Sequence, residues 1–299
     1  MRATADSLFR SSMENRIKAF SFKPRPSDVF IATSSKCGTT LVMQICHQLR
    51  TGGHMDFEDV YEVIPWLELS YDIQIDPNDE QIAEPRLFKT HAWHDHIPKG
   101  ARYIVVLRDP LDASVSFYNF FKDWMFEGDD VTIDDWMKWH VLSRDVPQSI
   151  LQYPSIFRFY ESWLMQRGNP NYLFLFYEDI LLDPVKEVKK ISSFIGLPED
   201  EERIQTAVRM SSREFMLEHV NKFEENRVRD ILATKGPDGA IANWSKGSGA
   251  KVAPAGKKRP SVSAEHRAQM DAEWKRVVEP VTGFKSYADM LADQRTQKL

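Results

Sequence analysis

Apolar residues follow two rhythms along this chain. Short, nearly continuous apolar runs recur at "DVFIAT" (28–33), "RLFKTH" (86–91), "ARYIVVLRD" (101–109) and "NYLFLFYED" (171–179). Runs of this kind fit strands of a parallel sheet covered on both faces. Between and after them, apolar residues return every three or four positions. That spacing predicts helices over 39–51, 111–126, 132–142, 153–167, 184–195, 200–219 and 263–279. Punctuation agrees. Gly52 and Gly53 close the first helix. Pro110 and Pro184 stand at first helical positions. Gly196 and Pro198 end the helix that Pro184 opens, and Ser263 is placed to cap the last one. Residues 1–27 are polar with scattered aromatics and end in "KPRPSD", where Pro24 and Pro26 keep the chain extended. Residues 54–85 are mixed, and "DPNDEQ" reads as a turn. From 233 to 261 the composition shifts to Gly, Pro, Ala, Ser, Lys and Arg, which predicts a long loop.

Strands alternating with helices, without internal repeats, give an α/β class. The expected architecture is three-layered and P-loop-like: a central, mostly parallel sheet flanked by helices. The expected organisation is one domain over 28–299, with residues 1–27 as an extension packed on it. In such sheets ligands bind outside the carboxyl ends of the strands. That rule gathers Ser35–Thr40, Lys89–His91, Arg108–Asp109 and Tyr177–Asp179 around one crevice. The crevice is rich in cations and hydroxyls and suits a ligand with more than one anionic group.

The segment "FIATSSKCGTTLVMQICHQL" (30–49) runs from strand through turn to helix. A helix N-terminus offers unpaired N–H groups and partial positive charge to an anion. Gly38 allows close backbone approach, Thr39 and Thr40 add hydroxyls, and Lys36 adds a full charge. This is not the nucleotide-kinase loop GxxxxGK(S/T), since Lys36 precedes the only Gly. Nor is it a tyrosine-phosphatase loop, because Met43 stands six positions after Cys37, where an Arg is needed.

Composition narrows the setting. The 299 residues are 42% apolar and 28% charged, with net charge −5, ordinary values for a globular protein. The acidic balance argues against a nucleic-acid partner. Two cysteines, Cys37 and Cys46, are poorly placed to pair, which fits a reducing compartment. No apolar run approaches the roughly 18 residues of a membrane span, and "MRATADSLFRSS" lacks the apolar core of a secretory signal. The expectation is a cytoplasmic protein with no membrane partner. "HAWHDH" (91–96) has no cysteine partner and is not read as a metal site. His94 and His96 are expected in a loop near the acceptor, where Trp66, Tyr71, Trp93 and Phe120 are candidate walls.

Four motifs in order, "SSKCGTT", "FKTH", "VVLRDPLDASVSFYNFF" and "LFYED", resemble those of the cytosolic sulfotransferases. The resemblance runs from about Asp28 to Gly196 and more weakly to the last helix. It implies 3′-phosphoadenosine 5′-phosphosulfate (PAPS) as sulfuryl donor, its product PAP, a small-molecule acceptor and no metal. By the same resemblance, Lys36, Cys37, Gly38, Thr39 and Thr40 form the 5′-phosphosulfate loop. Arg108 and Ser116 resemble the clamp on the 3′-phosphate, Tyr177 the tyrosine near adenine, and Ser211 a hydroxyl of the same nucleotide site. His91 resembles the general base, and Lys36 and Lys89 the lysines on the sulfuryl group.

Departures from the family pattern are also plain. Leu41 replaces an aromatic residue that often stacks on adenine. The Arg-Lys-Gly-x-x-Gly segment that closes on the 3′-phosphate is not cleanly present. "SKGSGAK" (245–251), with Lys246 and Lys251, and "AGKKR" (255–259) are both candidates. The dimerisation motif of animal members is missing near "KRVVEPVTGF". Two other readings stand beside sulfuryl transfer: an ATP-using P-loop phosphotransferase, and a nucleotide-binding module without turnover.

Overall fold

A computed structural model describes residues 11–122, 130–233, 251–252 and 260–296. Lys246 and the "AGKKR" segment lie outside the described residues. Four strands, β1 (Val29–Thr33), β2 (Leu87–Thr90), β3 (Arg102–Leu107) and β4 (Tyr172–Phe176), form an all-parallel sheet in the order β2-β1-β3-β4. Val29 lies opposite both Leu87 and Arg102, and Leu107 opposite Phe176. This register brings the four carboxyl ends out along one edge, which is where the site must form.

The described helices of eight residues or more are α1 (Met13–Phe20), α2 (Thr39–Thr51), α3 (Pro110–Lys122), α4 (Ile156–Leu164), α5 (Pro184–Phe194), α6 (Glu201–Met210), α7 (Asn226–Ala233), α8 (Ala264–Glu273) and α9 (Tyr287–Thr296). Every residue of β1 is buried, as consecutive apolar positions require. An aromatic row crosses the sheet. Phe30 stacks on Phe88 at 5.2 Å and on Tyr103 at 5.5 Å, and Tyr103 stacks on Tyr172 at 4.6 Å. At the amino end of the sheet the buried Arg86 guanidinium grips Asp28 through two bonds of 2.9 and 2.7 Å. That fork satisfies both charges away from the site.

Several boundaries differ from the sequence expectation. β4 stops at Phe176, and Tyr177 opens a short helix, Tyr177–Leu182. Glu178 and Asp179 in its first turn complement the helix dipole. The stretch 200–219 breaks at Ser211: α6 ends there, and Ser212 caps a new helix, Arg213–Glu218, by accepting from the Phe215 N–H at 3.3 Å. Apolar spacing continues across the break, so periodicity does not reveal it. The segment from Ile133 widens after Trp136 into a π turn, Met137–Val141. α1, capped by Ser12, is a helix within the polar extension, and α9 lies beyond the last one expected.

Candidate active site

The turn after β1 is held in an unusual backbone shape. Lys36 has φ 65° and Gly38 φ 96°, so this turn needs left-handed conformation at two positions. Gly38 is also hemmed in, since a Cβ there would stand 2.6 Å from Cδ2 of Tyr177. α2 then begins at Thr39 with no side-chain cap. Helix geometry leaves the N–H groups of Thr39, Thr40 and Leu41 without intrahelical acceptors. The result is a cradle of backbone donors at the positive end of a 13-residue helix. Gly38→Ala should weaken binding of the PAP that the motif resemblance implies by about 10- to 100-fold, given roughly 1–3 kcal/mol of backbone strain plus the clash with Tyr177. Titration calorimetry checks this, and wild-type affinity would show that the close fit does not matter.

Arg108 ties the loop to the sheet. Its Nη1 donates to the Lys36 carbonyl at 2.8 Å, and its guanidinium carbon lies 4.5 Å from the Tyr177 ring centroid. The Tyr177 ring therefore touches both Gly38 and Arg108. The Nε of Arg108 is shielded from solvent without a partner, as is the hydroxyl of Ser211. Buried donors left unpaired are costly, and Arg108 Nε, which borders the loop, is available to an anionic ligand. Ser116, half-buried, lies in α3 two turns past Arg108. The Lys36 ammonium sits 4.5 Å from the Phe120 ring centroid.

A residue that motif reading missed, Tyr160 of α4, fastens this end of the site. Its hydroxyl accepts from the Arg108 N–H at 2.9 Å and donates to the Arg108 carbonyl. The Cys37 sulfur is 3.6 Å from the same hydroxyl. Burial pushes the Cys37 thiol up to about 12, so it remains protonated and structural. Its backbone still shapes the loop. Only the strongly apolar spacing of "FRFYESWL" hinted that Tyr160 faces inward.

His91 follows β2. Its Nδ1 lies 2.8 Å from the Thr33 carbonyl oxygen, at the end of β1. A carbonyl only accepts, so Nδ1 carries the hydrogen and Nε2 keeps its lone pair. Thr33 also meets Thr39 across 2.6 Å, hydroxyl to hydroxyl. One strand end thus orients both the imidazole and the anion loop. Glu68 fixes the main chain behind it, its Oε1 accepting from the His91 N–H at 2.6 Å and from the Thr90 hydroxyl at 2.9 Å. Trp66 meets the ring edge-on at 5.3 Å and Tyr153 at 6.2 Å. Burial, then the Lys89 charge, push the His91 pKa well below the usual histidine value, so the ring is neutral near pH 7.

Lys89 is buried, and its ammonium donates to the Tyr61 hydroxyl at 2.6 Å over the Trp66 ring. Lys251 pairs with Glu225 at 2.9 Å and donates to the Tyr61 hydroxyl at 2.8 Å, on the Lys89 side of the site. His94 bonds the Tyr172 hydroxyl at 2.9 Å and packs on Trp163, so it braces the sheet. His96 lies against Trp93 and Phe20. Tyr71 carries Lys18 over its face. Among the described residues no group of three or more His, Cys, Asp or Glu is arranged to hold a metal ion. No described helix is long and apolar enough to cross a membrane.

A family model, the sulfotransferase domain, matches residues 26–277. The chain belongs to the sulfotransferase family. This sulfotransferase is 31% identical to mouse sulfotransferase 1A1 over 209 residues, covering 66% of this chain and 69% of that protein. It is 31% identical to cytosolic sulfotransferase 1 of Danio rerio over 203 residues, covering 64% and 66%. Its fold resembles that of mouse sulfotransferase SULT7A1, solved in complex with PAP, with a TM-score of 0.63 at 18% identity over 95% of this chain and 94% of that one. Retinol dehydratase, solved with androsterone and PAP, gives a TM-score of 0.61 at 19% identity over 88% and 83%. The enzyme is a PAPS-dependent sulfotransferase.

Proposed function

We propose that this sulfotransferase moves the sulfuryl group of PAPS to a hydroxyl or amine of a small-molecule acceptor, with His91 as general base. The observation that supports the reading is the double role of Thr33, whose carbonyl engages His91 Nδ1 and leaves the lone pair on Nε2, and whose hydroxyl meets Thr39 of the loop. PAPS supplies the activated sulfuryl group. Backbone N–H groups of Thr39 and Thr40 hold the 5′ end, with Lys36 countering charge on the leaving oxygen. Arg108 and Ser116 hold the 3′-phosphate, while Tyr177 and Ser211 line the nucleoside. His91 Nε2 takes the acceptor proton as an S–O or S–N bond forms and the S–O bond to phosphate breaks. The products are a sulfate ester or sulfamate and PAP. Trp66 and Tyr153 around His91 support an acceptor with an apolar body, and the two reduced cysteines support a cytoplasmic location.

The test is PAP release from PAPS across a panel of alcohols, phenols and amines, with calorimetric titration of PAPS, PAP and ATP. Turnover with an acceptor and preference for PAP over ATP are expected. Binding without turnover on any acceptor would support the non-catalytic module instead. Turnover should also survive EDTA unchanged, because Lys36, Lys89 and Arg108 supply the positive charge that Mg²⁺ brings to a kinase. Activity lost to EDTA and restored by Mg²⁺ would favour the phosphotransferase.

A further inference from the structure

Beside His91 lies a buried polar circuit for which sulfuryl transfer alone gives no reason. The Tyr61 hydroxyl sits at its centre. It accepts from Lys89 Nζ at 2.6 Å and from Lys251 Nζ at 2.8 Å, and donates to Glu225 Oε1 at 3.2 Å. A phenol has one hydrogen and two lone pairs, so all three are used. Glu225 Oε1 also takes Lys251 at 2.9 Å, while its Oε2 is buried without a partner. Tyr61, Lys89 and Glu225 are 1%, 3% and 5% exposed. Two lysine amines therefore meet on one phenol backed by a single carboxylate in a dry place, and that of Lys89 rests 3.4 Å from the centre of the Trp66 ring that touches His91.

We propose that Glu225, acting through Tyr61, is a positioning residue that keeps Lys89 cationic and aimed, and that Lys251 draws on the same carboxylate and so limits the charge Lys89 keeps. This rests on the reading of Lys89 as a group acting on the sulfuryl oxygens. The charged and titratable groups facing Lys89 are Lys251, Glu225, Glu68, Asp59, Tyr61 and His91. Burial pushes the carboxyls of Glu68 and Asp59 up, and both are occupied with backbone N–H groups. Burial also opposes charge on Glu225, yet Lys251 and Lys89 together hold it down at about 2. Glu225 is thus the dependable anion of the set. For Lys89, burial and then Lys251 act to remove the proton, and Glu225 acts to keep it.

The two charges predict opposite effects. If Lys89 must be cationic, kcat falls as pH rises through its lowered pKa. Glu225→Gln removes the carboxylate charge in nearly the same shape, so that alkaline limb should move down by about one pH unit or more. Activity should then recover at correspondingly lower pH. Lys251→Met should move the limb up by a similar amount, and the double variant should lie between. Limbs unmoved in both variants, with kcat merely reduced, would overturn the proposal and leave the circuit structural. If circular dichroism shows that Glu225→Gln does not fold, Lys251→Met decides alone, since an unmoved limb there is equally fatal. Lys89→Met separates this idea from the reading beneath it. Wild-type turnover in that variant would remove Lys89 from the reaction; an inactive variant with unmoved limbs in the others would remove only the circuit.

Discussion

His91→Ala should bind PAP as the wild type does and turn over at least about 100-fold more slowly, since a placed general base contributes about 10²–10⁴ in rate. The separation of binding from turnover follows from where the ring is held. Its Nδ1–H is spent on the Thr33 carbonyl, so the one group it offers is the Nε2 lone pair. The proposed donor cradle is built from other atoms, the N–H groups of α2 and the Arg108 guanidinium. The loss should shrink for acceptors already ionised, such as acidic phenols, which need no base. A pH profile adds a second check. A base works unprotonated, and burial together with Lys89 sets the His91 pKa well below its ordinary value. The acid limb of wild-type kcat should therefore lie below the usual histidine range. Lys89→Met should raise the pKa of the His91 ring itself, followed by NMR titration of the imidazole rather than by turnover, because it removes the positive charge that most depresses it. Equal loss for every acceptor, whatever its ionisation, would place the base elsewhere. A His91→Ala chain that fails to fold would mean that the Trp66 and Thr33 contacts are what the ring is for.

Much of the sheet is legible in the sequence because its strands are buried on both faces, and consecutive apolar residues such as "VFIAT" and "YIVVL" have few other uses. The rule that ligands gather at strand carboxyl ends then brings together residues far apart in the chain, and Gly38, Arg108 and Tyr177 do meet in the structure. What the sequence hides is mostly polar and buried. Arg16 of α1 is 1% exposed in a segment that reads as polar surface; it lies over Tyr153 and donates to the Ile150 carbonyl. Glu68 and Glu225 look like ordinary surface acids. Their partners lie far away in sequence: Thr90 and His91 meet Glu68, and Tyr61 and Lys251 meet Glu225, and no local pattern marks such pairings. Lys251 illustrates the same limit: among Gly, Ser and Lys residues, charge alone does not reveal that this lysine pairs with Glu225.

Arg108→Ala should weaken PAPS and PAP by about 10- to 100-fold more than it weakens a nucleotide lacking the 3′-phosphate, such as adenosine 5′-phosphosulfate. A charge-assisted bond to phosphate contributes roughly 1.5–3 kcal/mol, and each 1.4 kcal/mol is about tenfold in affinity. The comparison between nucleotides is essential because Arg108 does other work. Its Nη1 holds the Lys36 carbonyl and its plane lies over Tyr177, so alanine should loosen the donor loop for any ligand. That common loss cancels in the ratio. What remains is the phosphate bond, for which the buried, unpartnered Nε is the available donor. Arg108→Lys should fall between, keeping the charge while losing the planar fork and the stacking on Tyr177. Ser116→Ala should lower the same ratio by less, because a neutral hydroxyl makes a weaker bond. If alanine at 108 weakens both nucleotides equally, Arg108 serves the loop alone, and the 3′-phosphate must be held by other groups.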